Sequence, residues 1–420
     1  MTDAHAPAPG GTPRPAPALG RCVGVDAATF AAAYWGKEPL LTPAGRDRTG
    51  FTDLLGPADV DELLSRRGLR TPFLRIANQG RIVPAARYTG GGGAGAEVAD
   101  QVRDEEVLRQ YAAGATLVLQ GLHRMWPPLV DFAGALAAEL CQPVQVNAYL
   151  TPPGNRGFAT HYDTHDVFVL QVEGRKRWRV HPPVLPDPLE RQGWTGRAEE
   201  VAATADGEPA LEVELGPGDA LYLPRGWLHA AEALGERSLH LTVGVKAFTR
   251  YALVEALLDL AAEDPRLRAT LPFGLDLTDA EALRPAVADT VAALRDWLSR
   301  VEPEQVAQRL RPRVWSATRP APIRPVAQAA AADRLGPDDR LVRRPGLPWR
   351  LAADGPDRAA LHAGELTLGL PARCAAAVRA LLSGAVGRVG DLPGLAPEDQ
   401  LTLARRLLRE AVVVPAPPAP

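Results

Sequence analysis

Residues 143–247 consist of short segments with the residue pattern of β-strands, separated by turns that contain glycine and proline. The segments are VQVNAYL, VFVLQ, KRWRV, LEVEL, ALYLP and LHLTVGV. A series of short strands joined by such turns is typical of a β-sandwich or a β-barrel. The sequence therefore predicts a barrel of the jelly-roll type in this part of the chain.

Helical patterns surround this region, so we expect an α+β protein. On the N-terminal side, Asp26 begins a short capped helix, and further helices are expected near residues 58–68, 102–112 and 126–141. On the C-terminal side, apolar residues repeat at helical spacing through residues 250–312.

Shifts in composition mark the ends of these regions. Residues 1–19 are rich in proline, alanine and glycine and are expected to be a mobile tail, because they offer too little apolar area to offset the entropy of ordering. A proline-rich joint at residues 319–325 precedes a small α+β unit, in which hairpin-like segments are expected at residues 349–352 and 366–370.

The charge and cysteine content exclude several classes of protein. Lysine and arginine number 47 against 50 acidic residues, so the net charge of -3 draws the whole molecule neither to nucleic acid nor to an anionic membrane. The three cysteines form no CxxC pair, which argues against a disulfide framework and against a thiolate zinc site. The N-terminus lacks the apolar core of a signal peptide, and no later apolar run is long enough to span a membrane. We therefore expect a cytoplasmic protein with no membrane partner.

The segment HYDTHDVFVLQVEGRKRWRV, residues 161–180, carries a candidate metal site. Residues i and i+2 of an extended strand share a face, so the His161 imidazole and the Asp163 carboxylate can converge on one ion. This spacing is weak by itself, because many globular chains contain one His-x-Asp sequence.

The segment GDALYLPRGWLH, residues 218–229, supplies a third ligand. It matches every specified position of the second cupin motif, G(x)5PxG(x)2H, in which the turn directs the final histidine, here His229, into the barrel. Two histidines and one carboxylate form the facial triad that binds Fe(II) and leaves positions open for other ligands. The sequence thus predicts that His161, Asp163 and His229 bind one iron ion.

Other residues near these segments are not expected to bind the metal. Cupins with a fourth ligand carry a glutamate where this chain has Val167 and Phe168, so a four-ligand manganese or zinc site is disfavoured. His240 is expected to support the site rather than to serve as a fourth ligand. His165 is expected to lie in the pocket wall or on the substrate side.

Lys176 is expected to point into the barrel. It alternates with arginines in RKRWRV and shares a face with Trp178 and Val180. A buried lysine requires an anion, and in a barrel with an iron triad the distal carboxylate of 2-oxoglutarate is a candidate. A lysine that extends its ammonium group to solvent, or the opposite strand register, is the alternative.

Strand alternation also predicts polar residues that line the pocket. Gln145, Asn147 and Tyr149 share one face of VQVNAYL, and Thr242 lies on the polar face of SLHLTVGV.

These segments together resemble the ribosomal oxygenases of the JmjC/cupin-4 group, which are Fe(II)- and 2-oxoglutarate-dependent protein hydroxylases. The resemblance runs from YWGKEPLL through both motif segments into the C-terminal unit, which is nearly the whole chain after the tail. It implies that the iron ligands are His161, Asp163 and His229. It implies that the residues in contact with the cosubstrate are Lys176, Asn147 and Thr242.

The resemblance further implies a domain organisation and a substrate. A JmjC/cupin catalytic domain with a double-stranded β-helix core is expected at residues 20–249. A helical dimerisation region is expected at 250–318, a linker at 319–329 and a winged-helix-like domain at 330–420. Members of the group hydroxylate an arginine or a histidine of a ribosomal protein, so we expect a protein substrate and a homodimer. Some members have a serine where this chain has Gly244, which leaves that cosubstrate contact open.

Two other functions fit the same residues. The first is the same chemistry on a peptide or a small-molecule natural product. The second is a non-enzymatic regulator that combines a cupin sensor with a winged helix and binds specific DNA through Arg405, Arg406 and Arg409. Neighbouring acidic residues dilute that charge, so we expect these arginines to serve packing and expect no specific DNA partner.

Overall fold

The computed structural model describes residues 17–45, 50–78, 80–95, 97–155 and 159–417. The chain forms two units, Met1–Ala247 and Phe248–Pro420. The expected tail of residues 1–19 lies outside the described residues as far as residue 16, and the first helix already includes Ala18 and Leu19.

The described part of the first unit contains six α-helices and thirteen β-strands. The helices are α1 (Ala18–Cys22), α2 (Ala27–Thr29), α3 (Pro57–Arg66), α4 (Asp104–Ala112), α5 (Pro127–Leu140) and α6 (Ala198–Ala205). The strands are β1 (Leu40–Thr42), β2 (Leu74–Asn78), β3 (Arg81–Ile82), β4 (Thr89–Gly90), β5 (Gln101–Val102), β6 (Thr116–Leu119), β7 (Val144–Thr151), β8 (Asp166–Glu173), β9 (Lys176–His181), β10 (Leu211–Leu215), β11 (Ala220–Leu223), β12 (Leu228–Ala233) and β13 (Ser238–Val245).

These strands form two main antiparallel sheets. The large sheet has eight strands in the order β1-β11-β8-β13-β7-β6-β2-β3, and the small sheet has three in the order β10-β9-β12. The six strands expected from the sequence are confirmed as β7 to β11 and β13. The sequence analysis did not predict β12, because LHAAEA is rich in alanine, which has low β-propensity.

Strand β8 explains how the two sheets share one core. Phe168 and Leu170 pack with the helices on the outer side of the large sheet, whereas Val167 and Val169 pack with residues of the small sheet. A strand buried on both faces reads as a continuous apolar run rather than as an alternation. The sequence VFVLQ has this pattern because β8 lies at the centre of the molecule's first unit.

Helix α5 covers the outer face of the large sheet. Its apolar residues include Leu129 and Leu136, both fully buried in the main core cluster. Burying one such leucine stabilises the fold by about 1.5–3 kcal/mol. Helix packing on this face leaves the space between the two sheets as the interior of the barrel.

The described part of the second unit contains six α-helices and five β-strands. The helices are α7 (Arg250–Ala261), α8 (Ala280–Leu298), α9 (Pro303–Ala317), α10 (Pro325–Arg334), α11 (Ala375–Ser383) and α12 (Pro397–Arg409). The strands are β14 (Leu341–Arg343), β15 (Trp349–Ala353), β16 (Arg358–Ala363), β17 (Leu366–Pro371) and β18 (Val413–Pro415).

The second unit ends in a small α+β core. Strands β15, β16 and β17 form one antiparallel sheet, β14 pairs with β18, and α10 to α12 pack around a shared apolar cluster. The expected hairpin segments are β15 and β17, but they do not pair with each other, since β16 lies between them. The sequence analysis missed β16 because RAALHA contains three alanines in place of β-branched residues. None of the described helices has the length and apolar character required to cross a membrane.

Candidate metal and cosubstrate site

The structure brings together the three metal ligands expected from the sequence. One donor atom each from His161, Asp163 and His229 lies within 4.8 Å of the others, and the His229 Nε2 is 3.8 Å from the Asp163 Oδ2. The two histidines also form an antiparallel bridge, in which each backbone N–H donates to the carbonyl oxygen of the other, at 2.8 and 3.2 Å. The backbone therefore fixes the separation of the two imidazoles.

A glycine turn aims His229 at the other two residues. The Gly226 backbone N–H donates to the Asp163 carbonyl oxygen at 2.9 Å, which joins the turn to the first ligand segment. Gly226 has a φ of +88°, and a Cβ atom there would lie 2.7 Å from the Leu185 carbonyl oxygen. Only glycine satisfies both conditions, which explains why the motif requires it.

Backbone carbonyl groups orient both imidazole rings. The His161 Nδ1 lies 2.8 Å from the Ala159 carbonyl oxygen, and the His229 Nδ1 lies 3.1 Å from the Trp227 carbonyl oxygen. A carbonyl oxygen only accepts, so a hydrogen bond at Nδ1 requires the tautomer that carries its proton there, and in that tautomer Nε2 is the donor atom for a metal. Second-sphere contacts of this kind hold histidine ligands in position at metal sites.

The protonation states of His229 and Asp163 suit a divalent cation. Burial and the neighbouring His161 lower the pKa of His229 to about 4, so its imidazole is neutral at neutral pH. Burial alone would raise the pKa of Asp163, but the fields of His165, His229 and His161 outweigh burial and lower it. Two imidazoles and one carboxylate on one side of a site are the donor set that fits Fe(II).

The three residues open onto a cavity of about 370 Å³ between the two sheets. Lys176, Trp178 and His240, all at least nine-tenths buried, line it together with Tyr149 and Thr242. The Lys176 side chain thus points inward, as the alternation of β9 predicts, rather than to solvent.

The surroundings of Lys176 indicate an anion site. Its Nζ donates to the Thr151 Oγ1 at 3.0 Å and lies 3.4 Å from the His240 Nδ1. Within the described residues, no carboxylate forms an ion pair with this ammonium group. Burial lowers the pKa of Lys176 to about 7. A buried cation with neutral neighbours fits a ligand that brings its own negative charge, such as the distal carboxylate of 2-oxoglutarate.

Of the two other residues expected to contact the cosubstrate, one lines the cavity and the other does not. Thr242 lines the cavity. Asn147 does not, because its Oδ1 accepts a hydrogen bond from the Gly121 backbone N–H at 3.0 Å, outside the cavity lining. Strand alternation placed Asn147 on the correct face of β7, but it could not show that a backbone group from another segment occupies the side-chain oxygen.

Gly244 and His165 occupy one small region beside the site. The His165 Nε2 lies 3.3 Å from the Gln145 Nε2, and a Cβ atom at Gly244 would lie 3.1 Å from both side chains. A serine in place of Gly244 would therefore require these side chains to move. His165 does not line the cavity, and His240 supports Lys176 rather than joining the metal ligands.

Several cavity residues were not foreseen from the sequence. Arg75 comes from β2, Thr116 from β6 and Trp194 from the segment that follows β9. No local pattern distinguishes these residues, because each reaches the cavity through tertiary contacts of elements far apart in the chain.

The arginines of β9 do not form a basic patch. Arg177 pairs with Glu214 at 2.8 Å and Arg179 with Glu212 at 3.3 Å, across the β9-β10 pair. Opposite charges therefore lie side by side on this solvent-facing strand surface.

Residues 131–253 match the model of the JmjC domain. Ribosomal oxygenase 1 of Homo sapiens is 34% identical over 244 residues, which are 56% of this chain and 35% of that protein. The NO66 protein of Culex quinquefasciatus, named a bifunctional lysine-specific demethylase and histidyl-hydroxylase, is 30% identical over 298 residues, which are 66% of this chain and 42% of that protein. The chain thus spans roughly a third of the length of the first of these relatives.

Solved structures show the same fold. The ribosomal oxygenase YcfD of Escherichia coli aligns with a TM-score of 0.53 and 20% identity over 93% of this chain and 98% of that chain. A structure of YcfD in complex with cobalt and 2-oxoglutarate aligns with a TM-score of 0.50 and 19% identity over 94% of this chain and 99% of that chain.

Proposed function

We propose that the chain is an Fe(II)- and 2-oxoglutarate-dependent oxygenase that hydroxylates a protein side chain, because residues 131–253 match the JmjC domain and the chain is similar to the ribosomal oxygenases. The observation that carries this proposal is that one cavity of about 370 Å³ contains both a His-Asp-His donor set and a buried lysine that forms no ion pair with any described residue. The metal site needs a divalent cation, the lysine needs an anion, and the cosubstrate with iron satisfies both.

Separate residues bind the metal and the cosubstrate. His161, Asp163 and His229 hold the iron ion through two imidazole Nε2 atoms and one carboxylate. Lys176, with Thr242 beside it in the lining, binds the distal carboxylate of 2-oxoglutarate. When bound, iron and 2-oxoglutarate together supply the oxidising chemistry that converts a substrate C–H group into C–OH, with succinate as coproduct.

The protein holds the metal-binding atoms in position, supplies a positive charge for the cosubstrate and excludes water from the cavity. The backbone bridge between His161 and His229 and the two carbonyl contacts at Nδ1 keep the donor atoms in place without help from the metal. Trp178, Val167 and Val169 line the cavity with apolar surface, which excludes water and strengthens the ion pair at Lys176.

We propose that the substrate is the side chain of an arginine or a histidine in a ribosomal protein. The names of the relatives support this assignment, since one is a ribosomal oxygenase and the other a histidyl-hydroxylase. The cavity opens at Gly80 and Ala159, both exposed and small, so a side chain from a second protein can enter there.

The second unit is proposed to contain a helical dimerisation region at residues 250–318 and a winged-helix-like domain at 330–420. Helix α8 supports the dimer, because none of its residues is buried and Val287, Val291 and Leu298 are 53%, 40% and 43% exposed. An apolar helix face of this kind is expected to be covered by a partner, here a second copy of the chain.

The arginines of α12 favour a packing role in the winged-helix-like domain. Arg405 donates to the carbonyl oxygens of Ala332 and Leu335, and Arg409 pairs with Asp333 at 2.9 Å. Arginines engaged within the domain offer little charge to DNA phosphates, so we expect no specific DNA partner.

Formation of succinate from 2-oxoglutarate tests the proposed activity. We expect turnover by the wild-type protein with Fe(II), and none by the double variant His161→Ala with Asp163→Ala, whose circular dichroism spectrum stays that of a folded protein. Full turnover by the double variant would contradict the assignment. Intact-mass spectra of ribosomal proteins from cells with and without the gene then test the substrate: one protein is expected to be heavier by one oxygen atom when the gene is present.

A further inference from the structure

The segment between β9 and β10, residues 182–210, forms one wall of the cavity. It contains a short 3-10 turn at Trp194–Arg197, and the partly buried Trp194 lines the cavity. The ring centroid of Trp194 lies 6.3 Å from that of His161, with an angle of 51° between the ring planes. A large, flat, apolar ring therefore stands directly beside a metal ligand.

The Trp194 ring is held in place by the ligand segment itself. Trp194 packs against a small apolar cluster that includes Tyr162, which is 2% exposed. Tyr162 lies between the two ligands of the His-x-Asp sequence and faces away from the metal, and its hydroxyl donates to the Gln192 carbonyl oxygen at 2.8 Å. The wall and the metal ligands are thus fixed relative to each other.

A second contact anchors the start of the wall. Arg225, 14% exposed in its side chain, pairs with Asp187 at 2.7 Å. The adjacent Gly226 approaches the Leu185 carbonyl oxygen so closely that a Cβ atom would lie 2.7 Å from it. These contacts tie the segment to the metal-ligand region at Leu185, Asp187 and Gln192, which precede Trp194 in the chain.

The other described lining residues near the cavity mouth are small or lie on strand β2 of the large sheet. Gly80 and Ala159 are exposed lining residues, Ala77 comes from β2, and Arg75 is the charged side chain of that strand in the lining. Trp178, the other tryptophan in the lining, is 5% exposed and lies among the residues around Lys176. Tyr149, a third aromatic residue of the lining, has its ring stacked on that of His240, with the ring centroids 4.9 Å apart. Among the tryptophans and tyrosines of the described lining, Trp194 is therefore the one outside the group around Lys176 and His240, where a side chain that enters from solvent can meet its ring.

We propose that Trp194 determines which substrate side chain is retained: a planar, π-bonded group, an imidazole or a guanidinium, stacks on its indole ring. Both groups gain from contact with an aromatic face, whereas an aliphatic chain gains only from burial. The expected preference is about tenfold in the dissociation constant. This inference rests on the proposed function, and it adds the residue that selects the substrate.

Short peptides test this preference without turnover. The full-length protein is loaded with Zn(II) and N-oxalylglycine, an inert analogue of 2-oxoglutarate, and titrated by NMR with acetyl-Gly-Xaa-Gly-amide, where Xaa is histidine, arginine or leucine. We expect the wild-type protein to bind the histidine or the arginine peptide about tenfold more tightly than the leucine peptide. The comparison of the first two peptides shows which planar group the site takes.

Substitutions connect the preference to one ring. We expect Trp194→Ala to abolish the preference and Trp194→Phe, which keeps an aromatic face, to retain most of it. Trp315→Ala, which removes an indole ring from α9, is the matched control and should behave as the wild-type protein. An unchanged affinity for N-oxalylglycine in each variant reports an intact cavity.

Two results would overturn the proposal: a wild-type protein that binds all three peptides equally, or a preference that survives in Trp194→Ala. If Trp194→Ala also fails to bind N-oxalylglycine, the test depends on Trp194→Phe. A Trp194→Phe variant that binds N-oxalylglycine normally but no longer prefers the histidine or arginine peptide would contradict stacking. Failure of the proposed function would appear separately, as the absence of succinate formation by the wild-type protein.

Discussion

Raising the pH is predicted to weaken cosubstrate binding through a single side chain. Lys176 is fully buried among neutral partners, Thr151 and His240, and burial lowers its pKa to about 7. His240 stacks on Tyr149 and stays neutral, because burial and the Lys176 charge lower its pKa. The ammonium form of Lys176, which binds a carboxylate, is therefore half populated near neutral pH in the free protein.

The magnitude follows from this pKa. Taking it as about 7, the charged fraction of Lys176 falls from about nine-tenths at pH ~6 to about one-tenth at pH ~8, so the dissociation constant rises about tenfold. A bound carboxylate raises the pKa of Lys176. Binding therefore takes up protons, and the affinity is full below the pKa of the free protein and declines above it.

Isothermal titration calorimetry with N-oxalylglycine measures both effects. The metal is kept saturating at each pH, so that protonation of the imidazole ligands does not contribute. Near pH ~8, buffers with different ionisation enthalpies should report an uptake of nearly one proton per ligand bound. The variant Lys176→Arg is the control, because arginine stays charged throughout this range and should give a nearly constant affinity.

The reasoning would be refuted by a wild-type affinity that does not change between pH ~6 and ~8, or by the same pH dependence in Lys176→Arg. Either result would show that another group, or none, responds to the ligand.

Three further predictions follow from the same structure. The variant Lys176→Met is expected to raise the free energy of unfolding of the ligand-free protein by up to about 4 kcal/mol, because it removes a buried ammonium group. Urea unfolding measures this difference, and an equal or lower free energy of unfolding would contradict a cost of burying the charge. The variant Gly226→Ala is expected to lose about 1–3 kcal/mol in its free energy of unfolding and to bind metal more weakly. Gly235 has a φ of +64° but no atom within 4 Å of an added Cβ, so Gly235→Ala should lose less. Equal losses in the two variants would refute a role for the short distance between position 226 and the Leu185 carbonyl oxygen. Val291→Asp on α8 is expected to convert a dimer into a monomer in light scattering, and a dimer that persists would exclude this face.

The grouping of His161, Asp163 and His229 and the inward direction of Lys176 can be predicted from the sequence, because they depend on strand alternation. In β9, inward residues alternate with outward arginines, and the same parity places His161 and Asp163 on one side of their segment. Such a pattern depends on local geometry, which the sequence encodes directly. The turn before His229 is equally local, since it depends on one glycine with a positive φ.

Residues that reach the cavity through tertiary contacts are not apparent from the sequence. Trp194 arrives on a segment whose position depends on Tyr162 and Arg225, both remote from it in sequence. Asn147 lies on the predicted face of β7, but the Gly121 backbone N–H occupies its side-chain oxygen. Alternation shows which face a residue occupies, whereas its neighbours on that face depend on the packing of distant elements.

A crystal structure with Mn(II) and N-oxalylglycine tests the central claim most directly. Our account predicts one anomalous peak within bonding distance of the His161 Nε2, a carboxylate oxygen of Asp163 and the His229 Nε2, and a ligand carboxylate within about 3 Å of the Lys176 Nζ. A metal held by other residues, or a ligand whose carboxylate lies away from Lys176, would contradict it.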